Sequence, residues 1–165
     1  MNKINLETFV NISVNFPEIN VVKYEYNTDL LIAEVVLSKE IDKEQEEKFI
    51  TRFKECMQLL HMLKESNPQV FKIKFKKLAG LTFLRYYRDG KSLDDKEIDL
   101  LISLLREDFY DCLLNEEIAL TNDSYKKRME RDLMQQLNNK YNTGYLFVYR
   151  DHGRLCMFNR KAGGS

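Results

Sequence analysis

Phe71-Lys72-Ile73-Lys74-Phe75-Lys76 runs into Lys77-Leu78-Ala79-Gly80 and then into Leu81-Thr82-Phe83-Leu84-Arg85-Tyr86-Tyr87-Arg88. In the first six residues a bulky apolar side chain alternates with lysine. That period of two puts Phe71, Ile73 and Phe75 on one face of a strand and Lys72, Lys74 and Lys76 on the other. A helix would scatter the same residues around its circumference. Leu78-Ala79-Gly80 supplies a turn, and the return run is rich in Phe, Thr and Tyr, which suit a pleated surface. Residues 69–88 therefore read as a β-hairpin, which commits the sheet to antiparallel pairing. Asp89-Gly90 breaks the return strand.

Upstream, Asp42 followed three residues later by Gln45 is a capping box, and Phe49, Phe53, Cys56, Leu60 and Leu63 form the apolar stripe of a helix over 42–65. Ser66-Asn67-Pro68 ends it. Before that helix, Val22, Tyr24 and Tyr26 alternate with Lys23 and Glu25, a turn follows at Asn27-Thr28-Asp29, and Leu30 to Leu37 is apolar on both faces. This is a second hairpin, over 21–37, whose second strand belongs in the middle of the sheet. Residues 5–16 fit two patterns. Val10, Ile12, Val14 and Phe16 have strand period, whereas Leu6, Phe9, Val10 and Ser13 line a helix; Pro17 ends either.

Downstream, Ser92 and Asp95 suggest a capping box for a helix over 93–115 with the stripe Ile98, Leu101, Ile102, Leu105, Phe109, Cys112 and Leu113. A third helix, 122–140, carries a narrow stripe of Tyr125, Met129, Leu133, Leu137 and Tyr141. Gly144 stops it, and a last hairpin over 145–160 turns at Asp151-His152-Gly153. The expected fold is α+β: a mainly antiparallel sheet of three hairpins packed with three amphipathic helices. The 165 residues suit a single domain over 1–161, with 162–165 as a flexible tail.

Composition narrows the class. The chain is 44% hydrophobic with only 6 Gly and 2 Pro, which excludes a mainly disordered or low-complexity protein. No apolar run reaches the ~20 residues of a membrane span, and the N-terminus lacks a signal-peptide pattern. Cys56, Cys112 and Cys156 are odd in number and widely spaced, with no CxxC pair; small buried hydrophobes in a reducing compartment, the cytoplasm, account for them.

Formal net charge is zero, yet charge is unevenly placed. Residues 69–91 hold 7 basic groups and 1 acidic, and residues 92–121 hold 2 and 9, so a basic hairpin precedes an acidic helix. Lys72, Lys74 and Lys76 lie ~6.7 Å apart at twice the strand rise, a spacing suited to successive phosphates. Arg85 and Arg88 on the paired strand, with Tyr86 and Tyr87, complete a candidate nucleic-acid surface, to which Lys126, Lys127, Arg128 and Arg131 can contribute. The competing reading is a solvated face whose lysines discourage edge pairing, or pair with Asp94, Asp95, Glu97 or Asp99. Gly144 to Tyr149 matches the aromatic strand of an RNA-recognition motif only at Gly144, Tyr145, Phe147 and Val148; Thr143, Leu146 and Arg150 depart from it. It reads as a core strand.

Motifs for catalysis are missing. Cys56 and His61 are about 140° apart around a helix and do not face each other. His152 sits in a turn. Glu107, Asp108 and Asp111 read as a solvated acidic face rather than cation ligands. No phosphate-cradling or nucleophile-elbow glycine pattern occurs. The expectation is a non-enzymatic intracellular protein-interaction or regulatory module, self-association being one form of it, with no cofactor and no metal. The alternatives are a nucleic-acid-binding protein using 69–91, and a small-molecule sensor holding ligand between sheet and helices.

Overall fold

In the computed structural model, residues 4–114, 123–138 and 143–160 are described. The chain begins with α1 (Leu6–Asn15) and the hairpin β1 (Ile19–Glu25) and β2 (Leu30–Leu37), then α2 (Lys43–Leu63). The second hairpin, β3 (Phe71–Leu78) and β4 (Leu81–Asp89), leads through a single 3-10 turn to α3 (Asp95–Phe109). α4 (Asp123–Leu137) precedes the last hairpin, β5 (Tyr145–Asp151) and β6 (Arg154–Arg160). All six strands form one antiparallel sheet in the order β3-β4-β2-β1-β5-β6. The three expected hairpins are present, and β2, apolar on both faces, is indeed internal.

Four helices are present among the described residues, not three: the ambiguous segment at 5–16 is α1. The side chain of Asn5 caps it by accepting from the Thr8 amide at 3.2 Å. Its other end is closed from the sheet. The buried guanidinium of Arg150 donates to the carbonyls of Ser13 and Phe16 at 3.0 Å and of Val14 at 3.3 Å, with Nε on Ile19 at 3.1 Å. Ser13 and Val14 lie in the last turn of α1, where carbonyls have no amide four residues on within the helix, so the arginine satisfies what the helix end leaves open. A strand here would have needed a sheet edge, and β5 already occupies the one beside β1.

α2 starts on the expected box, Asp42 accepting from the Gln45 amide at 2.8 Å while Gln45 accepts from the Asp42 amide at 3.1 Å. Its stripe is shifted from the expected one: Phe49, Phe53, Met57 and His61 are buried, whereas Leu63 is 84% exposed. The residues i, i+4, i+8 and i+12 drift slowly around the helix, so the core line passes through His61 rather than Leu63. α3 is capped by Asp94, which accepts from Lys96, and not by Ser92. Ser92 lies in the 3-10 turn and donates to Asp89 at 2.6 Å. Tyr141, expected on the α4 stripe, and the tail at 162–165 lie outside the described residues.

The turns explain the hairpins. Ala79 and Gly80 have φ of 53° and 80°, and His152 and Gly153 have 49° and 76°. Two consecutive left-handed residues match the twist of the flanking strands, the geometry of tight two-residue hairpins.

Every described helix lies against the same face of the sheet. Phe49 and Phe53 of α2 stack on or cross Phe71, Phe75 and Tyr86. Phe9 of α1 meets Tyr24 edge-on. Glu97 of α3 reaches Tyr86 and Arg88, and Tyr125 of α4 accepts the Leu155 amide at 3.1 Å. Ala33, Val35, Leu84, Leu146 and Val148 complete the core from the strands. Each large apolar side chain taken fully out of water there contributes roughly 1.5–3 kcal/mol. The opposite face carries no described helix.

Candidate functional site

That helix-free face is built by strand register. Directly opposed residues share a face, so pairing across all six strands sets Lys72, Tyr87, Ile32, Lys23, Phe147 and Phe158 in one row. The neighbouring row is Lys74, Arg85, Glu34, Val21, Tyr149 and Cys156. Lys76, Phe83 and Val36 extend it on one side, and Glu25, Tyr145 and Arg160 on the other. Aromatic rings stand beside cations throughout. Lys23 Nζ lies 4.2 Å from the Tyr145 ring centre and 5.5 Å from that of Phe147. Lys72 and Lys74 lie 5.7 and 5.9 Å from Tyr87. Phe147 and Phe158 stack across strands at 4.8 Å, and Phe158 is 49% exposed.

Charge is sorted by face. The exposed and half-buried charges on the outward register are seven cations (Lys23, Lys72, Lys74, Lys76, Arg85, Arg154, Arg160) against three carboxylates (Glu25, Glu34, Asp151), a surplus of four. Asp89, at the end of β4, falls on the same register but is buried and bonded to Arg88 and Ser92. With a net charge of zero for the whole chain, the remainder carries a deficit of four. Glu34 neutralises only Arg85, at 2.8 Å, and the hydrogen bond to Glu34 holds the arginine's pKa up. Lys72, Lys74 and Lys76 are exposed and have no carboxylate partner among the described residues. The acidic start of α3 is behind the sheet, where Asp94 pairs with Lys64 instead.

Four of the five predicted site residues thus lie together: Lys72, Lys74, Lys76 and Arg85. Arg88 does not. It is fully buried on the helical face, because it alternates with Tyr87. The second basic group is also elsewhere. α4 lies on the helical side, where Lys126 donates to Asn15 and Arg128 packs over Tyr125. Sequence reasoning missed Lys23, Tyr145, Phe147, Tyr149 and Phe158 as members of this surface. Alternation in Tyr145 to Tyr149 was visible, but the pairing of β1 with β5 across more than 120 residues was not.

Behind the sheet, Arg88 centres a buried polar network. Its Nε and Nη2 donate to the two Glu97 oxygens at 2.8 and 2.9 Å, and it also bonds Asp89, Ser92 Oγ and the Val70 and Ser92 carbonyls. Tyr86 donates to Glu97 at 2.9 Å, and His61 Nε2 lies 2.9 Å from it. Burial by itself would lower the Arg88 pKa, but the bonds and charge of Glu97 outweigh it and hold the guanidinium charged. Burial, then Glu97, pushes the Tyr86 hydroxyl far up. For Asp89 burial works upward, yet Ser92, the Val70 amide and Arg88 together bring the carboxyl below its ordinary value.

Glu97 accepts three directed hydrogen bonds, two from Arg88 and one from Tyr86, and His61 stands at its remaining position, so the carboxylate is enclosed by partners. The network joins α2, α3 and β4. His61 also borders a shallow cleft of about 550 Å³ with Lys54, Gln58, Met62 and Phe71. Cys56 stands five residues before His61 on the same helix. His152 is exposed and bonded to Asp151 at 2.6 Å within the last turn. Among the described residues, no three His, Cys, Asp or Glu side chains gather as metal ligands, and no helix is long and apolar enough to cross a membrane.

Compared with protein-family models, curated proteins and solved structures, the chain finds no match.

Proposed function

We propose that this chain is a non-catalytic binding module of the cytoplasm that engages an anionic partner on the helix-free face of its sheet. The observation that carries the reading is the surplus of four positive charges, interleaved with half-buried and exposed aromatic rings, on one face of a chain whose net charge is zero. Solubility alone asks for mixed charge, not for cations on one side and carboxylates on the other. Two copies meeting face to face would bring like charges together, which disfavours self-association through this surface.

Retention on immobilised heparin, a polyanion, tests the reading. One variant carries Lys72→Glu, Lys74→Glu and Lys76→Glu; a control carries Lys43→Glu, Lys54→Glu and Lys96→Glu on exposed helical positions. Each lowers the net charge by six from zero. The face variant elutes at clearly lower salt than the control. Equal elution of the two would remove the face from the account.

A further inference from the structure

Resting on that reading, we infer that the anionic partner is a single-stranded polynucleotide, laid across the strands with its bases on the aromatic rings and its phosphates on the flanking lysines. Three observations carry the step from polyanion to single strand.

The first is composition. A surface meant only for charge needs cations, whereas this one places rings among them: Tyr87 beside Lys72 and Lys74, and Phe147 beside Lys23. Unpaired bases offer π-faces to stack on such rings, and a duplex hides them. Second is shape. Among the described residues the face is an open sheet that carries no groove-filling helix, loop or ribbon, so it matches a flexible strand better than the grooves of a double helix. Third is length. Six strands at ~4.8 Å spacing give a platform about 24 Å wide, enough for about four nucleotides, the low end of the site sizes of single-strand binders. The cations occur at both ends of this width, on β3 (Lys72, Lys74) and on β6 (Arg160), with Lys23 between.

Fluorescence anisotropy with labelled 12-mers of mixed sequence, as single-stranded RNA, single-stranded DNA and an RNA duplex, tests the inference, with heparin as competitor. Variants are Tyr87→Leu, Phe147→Leu and Phe158→Leu, checked for an unchanged melting temperature. A single strand, ribose or deoxyribose, binds more tightly than the duplex. Each leucine variant loses roughly five-fold or more of that affinity while its heparin retention is unchanged. The logarithmic salt slope falls by about 0.7 for each lysine changed to alanine. Duplex binding as tight as single-strand binding, or affinity indifferent to the rings, overturns the inference and leaves the anionic-face reading standing. Loss of the heparin difference as well takes down both. A mass that rises with concentration and falls with the ring variants, without polynucleotide binding, assigns the face to a second copy and likewise overturns it.

Discussion

Arg88 and Glu97 meet in a two-point pair, Nε to Oε2 at 2.8 Å and Nη2 to Oε1 at 2.9 Å, with at most 1% of either residue exposed. The pair fastens the end of β4 to the first turn of α3, and through His61 to α2. Taking one partner away leaves a buried charge with no counterpart, which costs roughly 3–5 kcal/mol. Glu97→Leu and Arg88→Met should each lower the urea midpoint strongly. The double variant should recover a large part of the loss, because the unpaired charge is gone. A double variant no better than the worse single one would contradict a charge-pairing origin.

Acid should loosen the same corner. Asp89 titrates below its ordinary 3.8 in the folded chain, so the folded state holds that proton less well than the unfolded one. Its contribution is present in full above the unfolded value and is lost as pH falls through the folded one. Urea midpoints measured from about pH 5 down to about pH 2.5 should fall more steeply for the parent than for Asp89→Asn. Asp94, lowered despite its burial by Lys64, titrates in the same window, so the difference between the two curves is the quantity to read.

Arg150 predicts a local effect. Replacing it with Met removes the donor shared by the carbonyls of Ser13, Val14, Phe16 and Ile19. Bonds from a charged donor contribute ~1.5–3 kcal/mol, and the Ser13 and Val14 carbonyls at the helix end would lose this donor, whereas Phe16 keeps the Ile19 amide. Hydrogen exchange should quicken first in α1, before the β3–β4 hairpin responds. Uniform acceleration over both would contradict the capping role.

Two glycines should separate conformation from space. A Cβ at Gly90 would stand 2.5 Å from Asp29 Oδ1 and 2.7 Å from Ile4 Cβ, whereas one at Gly80 would meet nothing within 4 Å. Asn, which tolerates the left-handed region, should be accepted at Gly80 at little cost. At Gly90 it should cost about 1–3 kcal/mol, through overpacking. Melting temperatures of Gly80→Asn and Gly90→Asn compare them directly.

Much of the architecture was legible because local chemistry and tertiary packing agree. The alternation of Phe71 to Lys76, the box of Asp42 with Gln45, and the two-residue turns at Ala79-Gly80 and His152-Gly153 each have one good solution. What stayed hidden depends on distant partners. Residues 5–16 satisfy both periods, and Arg150, more than 130 residues away, decides for the helix. His61 lies on the core line of α2, and its buried polar partner there, Glu97, comes from 36 residues further along the chain. The candidate surface was half visible for the same reason. Three lysines on one strand face can be read from spacing, but strand order is needed to place Lys23, Phe147 and Phe158 in the same row. Arg88 was misplaced by counting it with Arg85 as a basic neighbour, when alternation on β4 sends the two side chains of Tyr87 and Arg88 to opposite faces.

Amide chemical-shift mapping during titration with a single-stranded 12-mer RNA addresses the central claim most directly. Shifts should gather on Lys23, Lys72, Tyr87, Phe147, Tyr149 and Phe158, across strands that are far apart in the chain, and leave α2 and α3 unmoved. Shifts centred on Lys126 to Arg131 of α4 or on the cleft beside His61, with the outer rows still, would contradict it.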